Sequence, residues 1–162
     1  MRAGNRRGPG ADLVEEGGGG RRVALGSDHA GFEGRRAVRE FLTEQGVEVL
    51  DLGPEAKESV DYPDFAHRVA EEVVAGHVDF GVLVCGTGQG MAMSANRHPG
   101  VRAAVVTDEL TARMARAHND ANVACFGERV IGVEAIAPLL KIFLEEPFEG
   151  DRHTPRVAKI ER

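Results

Sequence analysis

Residues 82–96 read VLVCGTGQGMAMSAN. An apolar run ends in a cysteine, three glycines follow at alternate positions, and the stretch then takes helical spacing. A buried strand that turns through glycines into a helix is the repeating unit of parallel α/β sheets. Gly86, Gly88 and Gly90 let successive backbone N–H groups converge where the helix begins, which suits an anion. The loop lacks the Gly-Lys-Ser/Thr of a Walker loop. Met91 stands where a dinucleotide fingerprint has its third glycine, although Asp108, about twenty residues on, keeps a nucleotide reading open.

Outward from this stretch the same cycle repeats. Val23-Ala24-Leu25 is a short apolar run ending at Gly26. Ala37, Val38, Phe41 and Leu42 then share one face of a helix predicted over 31–45, which Gly46 stops. Val47–Leu52 alternates as a second strand. Pro63 opens a helix carrying Phe65, Ala66, Val69, Ala70, Val73 and Val74, closed by Gly76. Phe80–Val84 is a third strand with a helix at 88–96, Arg102–Val106 a fourth with a helix at 108–118, and Asn122–Phe126 a fifth with a helix at 133–145. Alternating strands and helices predict βαβ units and a mostly parallel sheet covered on both faces. Ligands of such sheets sit at the carboxyl ends of the strands. That edge holds Ser27-Asp28-His29, Asp51–Gly53, Cys85–Gly90, Thr107-Asp108 and Gly127-Glu128-Arg129.

Composition sets limits on this plan. A chain of 162 residues makes one domain, and a net charge of −6 argues against a broad nucleic-acid footprint. Two cysteines without metal-ligand spacing make neither a disulfide framework nor a metal site, and a reduced, cytoplasmic setting follows. No apolar run approaches the roughly 18–20 residues of a membrane span. Glycine and arginine dominate residues 1–20, read as a flexible extension, with the single domain over 21–162.

The cysteines differ in setting. Cys125, between Ala124 and Phe126, reads as a small buried hydrophobe. Cys85 lies at the lip of a helix start, where the field favours a thiolate that can act as base or nucleophile. Thr87 and the loop amides could hold an oxyanion beside it. A base next to an oxyanion site suits proton abstraction alpha to a carbonyl. Elsewhere, Thr154 reads as an N-cap with Pro155 first in the helix, placing Arg152 on the approach and Arg156 in the first turn, where an anion would reconcile two cations with a helix start. His118 reads either as a cation at a helix C-terminus or as an acid–base group, and Arg129 as a cation ending the fifth strand. Tyr62 before Pro63 could simply pack. His67, His77, His98 and His153 read as surface or local structure, and no metal site is expected.

SDHAGF at 27–32, DYP at 61–63, CGTGQG at 85–90, HND at 118–120, FGERV at 126–130 and RHTPRV at 152–157 together resemble the type B ribose-5-phosphate isomerases, of the ribose/galactose sugar-phosphate isomerase family. The resemblance runs from about residue 22 to 160. It implies a Rossmann-like three-layer αβα sandwich, and an aldose–ketose isomerase of the pentose phosphate pathway. Such an enzyme interconverts ribose 5-phosphate and ribulose 5-phosphate through a cis-enediol, without metal or organic cofactor. It also implies a homodimer whose sites draw on both subunits, with further pairing into tetramers open. By position, Cys85 matches the base that moves the proton between C2 and C1. Thr87 and the Gly86, Gly88 and Gly90 amides match the enediolate holders, and His118 and Asp28 the ring-opening pair. His29, Arg129, Arg152 and Arg156 match phosphate ligands, and Tyr62 and Asn119 hydroxyl contacts. Some relatives use a glutamate four positions after the cysteine; Gln89 stands there, leaving Cys85 as the loop's only base. The competing readings are a six-carbon sugar phosphate such as allose or galactose 6-phosphate, a flavodoxin-like nucleotide-binding module, and an inactive scaffolding paralogue. In a shared site, His118 and Arg129 are the residues expected to complete the neighbour's pocket.

Overall fold

The computed structural model describes residues 20–161, so the expected flexible extension over 1–20 lies, but for Gly20, outside the described residues. Five strands form one sheet: β1 (Arg22–Ser27), β2 (Glu48–Asp51), β3 (Phe80–Cys85), β4 (Ala103–Val105) and β5 (Val123–Gly127). Their order is β2-β1-β3-β5-β4, and every pairing is parallel. The sheet is therefore wholly parallel, where sequence predicted mostly so. The helices are α1 (Phe32–Glu44), α2 (Tyr62–Val74), α3 (Gln89–Ala95), α4 (Glu109–Ala117), α5 (Glu128–Ile131), α6 (Val133–Glu145) and α7 (Thr154–Ile160).

Strand alternation divides the core in two. Val23, Leu25, Val82, Val84, Ala124 and Phe126 face α1, α4 and α6 through Val38, Leu42, Ala112, Ile136, Leu140 and Phe143. Ala24, Leu83, Cys85, Val123 and Cys125 point the other way, onto Phe65, Val69, Met91 and Ala95 of α2 and α3. This is the three-layer sandwich, and its strands read as continuous apolar runs because both faces are covered.

Local chemistry starts the helices where the chain needs them. Asp108 Oδ1 accepts from Thr111 N at 2.7 Å, and Thr111 Oγ1 accepts from Asp108 N at 3.1 Å, closing a reciprocal cap on α4. At the far end, α7 begins one residue earlier than expected. Thr154 is already helical, Pro155 is second, and a 3₁₀ turn at Asp151–His153 leads in without a side-chain cap. Arg129, expected at the end of strand five, lies instead in the one-turn helix α5, because Glu128 begins a turn directly after Gly127.

The chain leaves β1 toward β2 on one side and returns to β3 on the other. The switch point between β1 and β3 therefore opens a crevice at their carboxyl ends. Asp28 N bridges it, donating to Val84 O at 3.3 Å. On the opposite edge, Phe143 is fully buried and meets Phe80 edge-on, with ring centroids 6.0 Å apart. Phe143→Ala is expected to cost about 3–5 kcal/mol of unfolding free energy by urea denaturation, with turnover per folded molecule retained.

Candidate active site

The carboxyl edge gathers one group of the expected residues. Cys85 ends β3, is 5% exposed, and its Sγ accepts from Gly88 N at 3.1 Å. Gly88 takes φ +81°, a left-handed conformation that glycine adopts without a Cβ penalty, and this turns its amide back onto the sulfur. That amide was expected to hold an oxyanion; it is committed to the thiol instead. Thr87 is exposed at the loop tip, its Oγ1 accepting from Gln89 N at 3.4 Å.

Neighbouring strands furnish the walls. Asp28 is buried at the end of β1, where its Oδ1 accepts from Gly31 N at 3.1 Å. His29 Nδ1 accepts from Val60 N at 3.3 Å, so a neutral ring keeps its proton on Nε2 and presents a donor. The Tyr62 ring covers Gly90, where a Cβ would lie 2.5 Å from its Cε2. Arg129 N donates to Gly86 O at 3.0 Å, and its guanidinium lies over Gly86, 3.3 Å from where a Cβ would be. Arg129 thus stands beside its own chain's loop, contrary to the expectation that it serves a neighbour's pocket. Gly127 lets the loop backbone come close: a Cβ there would lie 2.6 Å from Thr87 C.

The remaining expected residues lie elsewhere. α4 carries the chain back from the carboxyl edge of β4 to the amino edge of β5, and His118 caps its end. Glu149 N donates to Ala117 O at 3.0 Å, and Glu161 pairs with Arg102 at the start of β4, so the segment with Arg152 and Arg156 follows that same edge. Asn119, Arg152 and Arg156 are exposed, and neither arginine pairs with a carboxylate among the described residues. The six residues of β3 advance roughly 17 Å at about 3.3 Å each. Within one chain, then, His118, Asn119, Arg152 and Arg156 do not meet Cys85.

Sequence reading missed His153 and Glu149. His153 is 5% exposed, and its ring stacks on His118 with centroids 4.2 Å apart and planes 14° from parallel. Glu149 Oε2 lies 3.3 Å from His153 Nε2 and 3.8 Å from His118 Nε2. Burial, reinforced by His118, Arg152 and Arg156, holds the His153 imidazolium below its usual range. The one sequence signal was its place inside RHTPR, between two arginines.

A model of the ribose/galactose isomerase family matches residues 23–160. The chain belongs to that family. It is 42% identical over 140 residues to ribose-5-phosphate isomerase B of Escherichia coli (strain K12), covering 86% of this chain and 94% of that protein. Among solved structures it resembles ribose-5-phosphate isomerase B of Clostridium thermocellum, with a TM-score of 0.85 and 46% identity over 86% of this chain and 95% of that one. The Thermotoga maritima ribose 5-phosphate isomerase also superposes at a TM-score of 0.85, with 44% identity over 87% and 97% of the two chains. Among the described residues, no helix is long and apolar enough to cross a membrane.

Two outcomes are expected from this geometry. Gly127→Ala should push the Thr87 backbone outward and lower kcat about 10²-fold in steady-state assays, with the circular dichroism spectrum unchanged. Because His153 is held neutral when folded, the unfolded chain takes up its proton first as pH falls through 6.5, so stability drops there. Asp108, held low by Thr111, and Glu161, held low by Gly100 N–H and Arg102, lose their contributions only further down, as pH falls through the carboxylate range. Urea midpoints measured across the imidazole range should slope downward toward acid, and His153→Gln should flatten that slope.

Proposed function

We propose that the protein interconverts D-ribose 5-phosphate and D-ribulose 5-phosphate, as a homodimer in the cytoplasm, with each site drawn from two copies. The observation that carries the chemistry is the Gly88 N–H aimed at Cys85 Sγ at 3.1 Å, which fixes the sulfur at the strand end, where it can act as the base that takes a carbon-bound proton. Relatives named for the five-carbon substrate support the pentose over a six-carbon sugar.

The furanose opens first. The partner's His118 and this chain's Asp28 serve the ring, one removing the C1 hydroxyl proton while the other protonates the ring oxygen, which leaves an aldehyde at C1 and a free hydroxyl at C4. Cys85 then takes the C2 proton, and electron density moves onto the C1 oxygen to give a cis-enediolate. Thr87 and the loop amides of Gly86 and Gly90 hold that oxygen as charge develops. The O2 proton passes to the C1 oxygen, Cys85 returns its proton to C1, and the ketose forms. Arg129 and His29 from one chain, with Arg152 and Arg156 of the other, bind the phosphate, and Tyr62 and Asn119 contact the hydroxyls. Binding energy from the phosphate, remote from C1 and C2, holds these carbons against the thiolate.

The case for a shared site is the gap of roughly 17 Å along β3 between the two groups in one chain, too wide for one pentose phosphate to bridge. The two arginines without carboxylate partners among the described residues then have a substrate to neutralise.

Purified protein should turn over ribose 5-phosphate, and Cys85→Ala should lower kcat by about 10²–10⁴-fold. His118→Asn should separate the two steps. Ribulose 5-phosphate cannot close a furanose ring through its phosphorylated C5, so its consumption should survive while that of ribose 5-phosphate falls. Full activity in Cys85→Ala, read by the ketose product, would falsify the thiolate as proton carrier. Sedimentation equilibrium showing an active monomer would remove the shared site.

A further inference from the structure

The stretch FGERV at 126–130 holds one charged residue that the mechanism leaves without work, Glu128. It begins α5 directly after β5, and it is half-buried. Its Oε2 accepts from Gly34 N at 2.8 Å, across 94 positions of sequence. Gly34 lies in the first turn of α1, a helix whose N-cap, Gly31, offers no side chain of its own. A carboxylate brought from another strand therefore satisfies an N–H that helix geometry leaves open, and the helix dipole favours its charge there. The absence of a side chain on Gly34 permits the approach: a Cβ would stand 3.1 Å from Glu128 Oε2 and 2.7 Å from Ile136 Cδ1.

The two segments joined by this bond each carry a phosphate ligand of the proposed site. The 3₁₀ turn His29–Gly31 leads directly into α1, and Arg129 follows Glu128. His29 is fixed by Val60 N, and the Arg129 backbone by its bond to Gly86 O. Neither contact ties the His29 turn to the Arg129 turn. Among the described residues, the side-chain hydrogen bond that does so is the one from Gly34 N to Glu128. Charge alone would set Glu128 against an anion held by its neighbour Arg129, so its place is explained by what it holds.

We propose that Glu128 is a positioning residue for substrate phosphate: its bond to Gly34 N sets the spacing between His29 and Arg129, so that one anion meets both. The inference rests on the phosphate-binding role given to those two residues above. The Cys85 loop keeps its place without Glu128, since the Arg129 N to Gly86 O bond and the Gly127 contact are made by backbone. A change at Glu128 should therefore show first in anion affinity and KM, and less in kcat.

Isothermal titration of inorganic phosphate into the intact protein reads affinity without turnover, and steady-state assays with both pentose phosphates run beside it. Glu128→Ala should raise the phosphate Kd and both KM values about tenfold, with kcat changed less. Glu128→Gln keeps an amide oxygen for Gly34 N and should return all of these to within about twofold of wild type. Glu128→Asp keeps the charge but loses the reach, and should behave as Glu128→Ala does; it carries the test if the alanine variant does not fold. Unchanged phosphate affinity in the shortened variants overturns the positioning role. So does a fall in kcat with affinity intact, which marks a residue that only supports the loop. A glutamine variant as weak as alanine assigns Glu128 a charge effect and overturns it as well. If wild type converts neither pentose phosphate while phosphate affinity follows the expected order, the isomerase reading falls and Glu128 keeps its role. Turnover with flat phosphate affinity across the series has the reverse meaning.

Discussion

All five strands run the same way, so each crossover must carry the chain back to the edge where the next strand begins. That single constraint distributes the chemistry. Residues directly after a strand collect at the carboxyl edge, as Asp28, Cys85 and Arg129 do. Residues directly after a crossover helix collect at the amino edge, as His118 and Asn119 do. A mechanism needing both groups therefore needs two copies of the chain, whatever the affinity between them. On the proposed mechanism, a shared site is in this sense a demand of sheet polarity before it is a matter of apolar surface.

The loop after β3 shows how finely the carboxyl edge is set. Cys85 and Cys125 sit on adjacent strands and face the same helical layer. Cys125 is fully enclosed, and burial together with the nearby Cys85 pushes its thiol well up, so it stays protonated and inert. Cys85 is almost as buried, yet it ends its strand, and the left-handed turn at Gly88 brings one amide onto its sulfur. The difference between the two thiols is a single N–H, held by a loop that Gly127 lets settle against the neighbouring strand.

The amino edge is built more loosely around a buried imidazole. His153 gives His118 a flat face to stack on, and Glu149 approaches both rings. The stack fixes the ring plane of His118.

Much of this was legible from residue order. Strand and helix periodicity, with Gly46, Gly76 and Pro63 as stops and starts, yielded the alternating elements and the active edge, because buried parallel strands and amphipathic helices obey short-range rules. The Cys85 loop could be read for the same reason: its glycines, thiol and helix start are neighbours in the chain. The handover from β5 into α5 and the start of α7 were misplaced by a residue or so, since caps compete with 3₁₀ turns within one or two positions. The stacking of His153 on His118 could not be read from residue order. It joins residues thirty-five positions apart, and only the return of the chain past the end of α4 brings them together. Sequence alone determined the fold, the edge and the glycine loop at Cys85; tertiary structure decided which residues share that edge, because distance across a parallel sheet is set by strand direction and not by spacing along the chain.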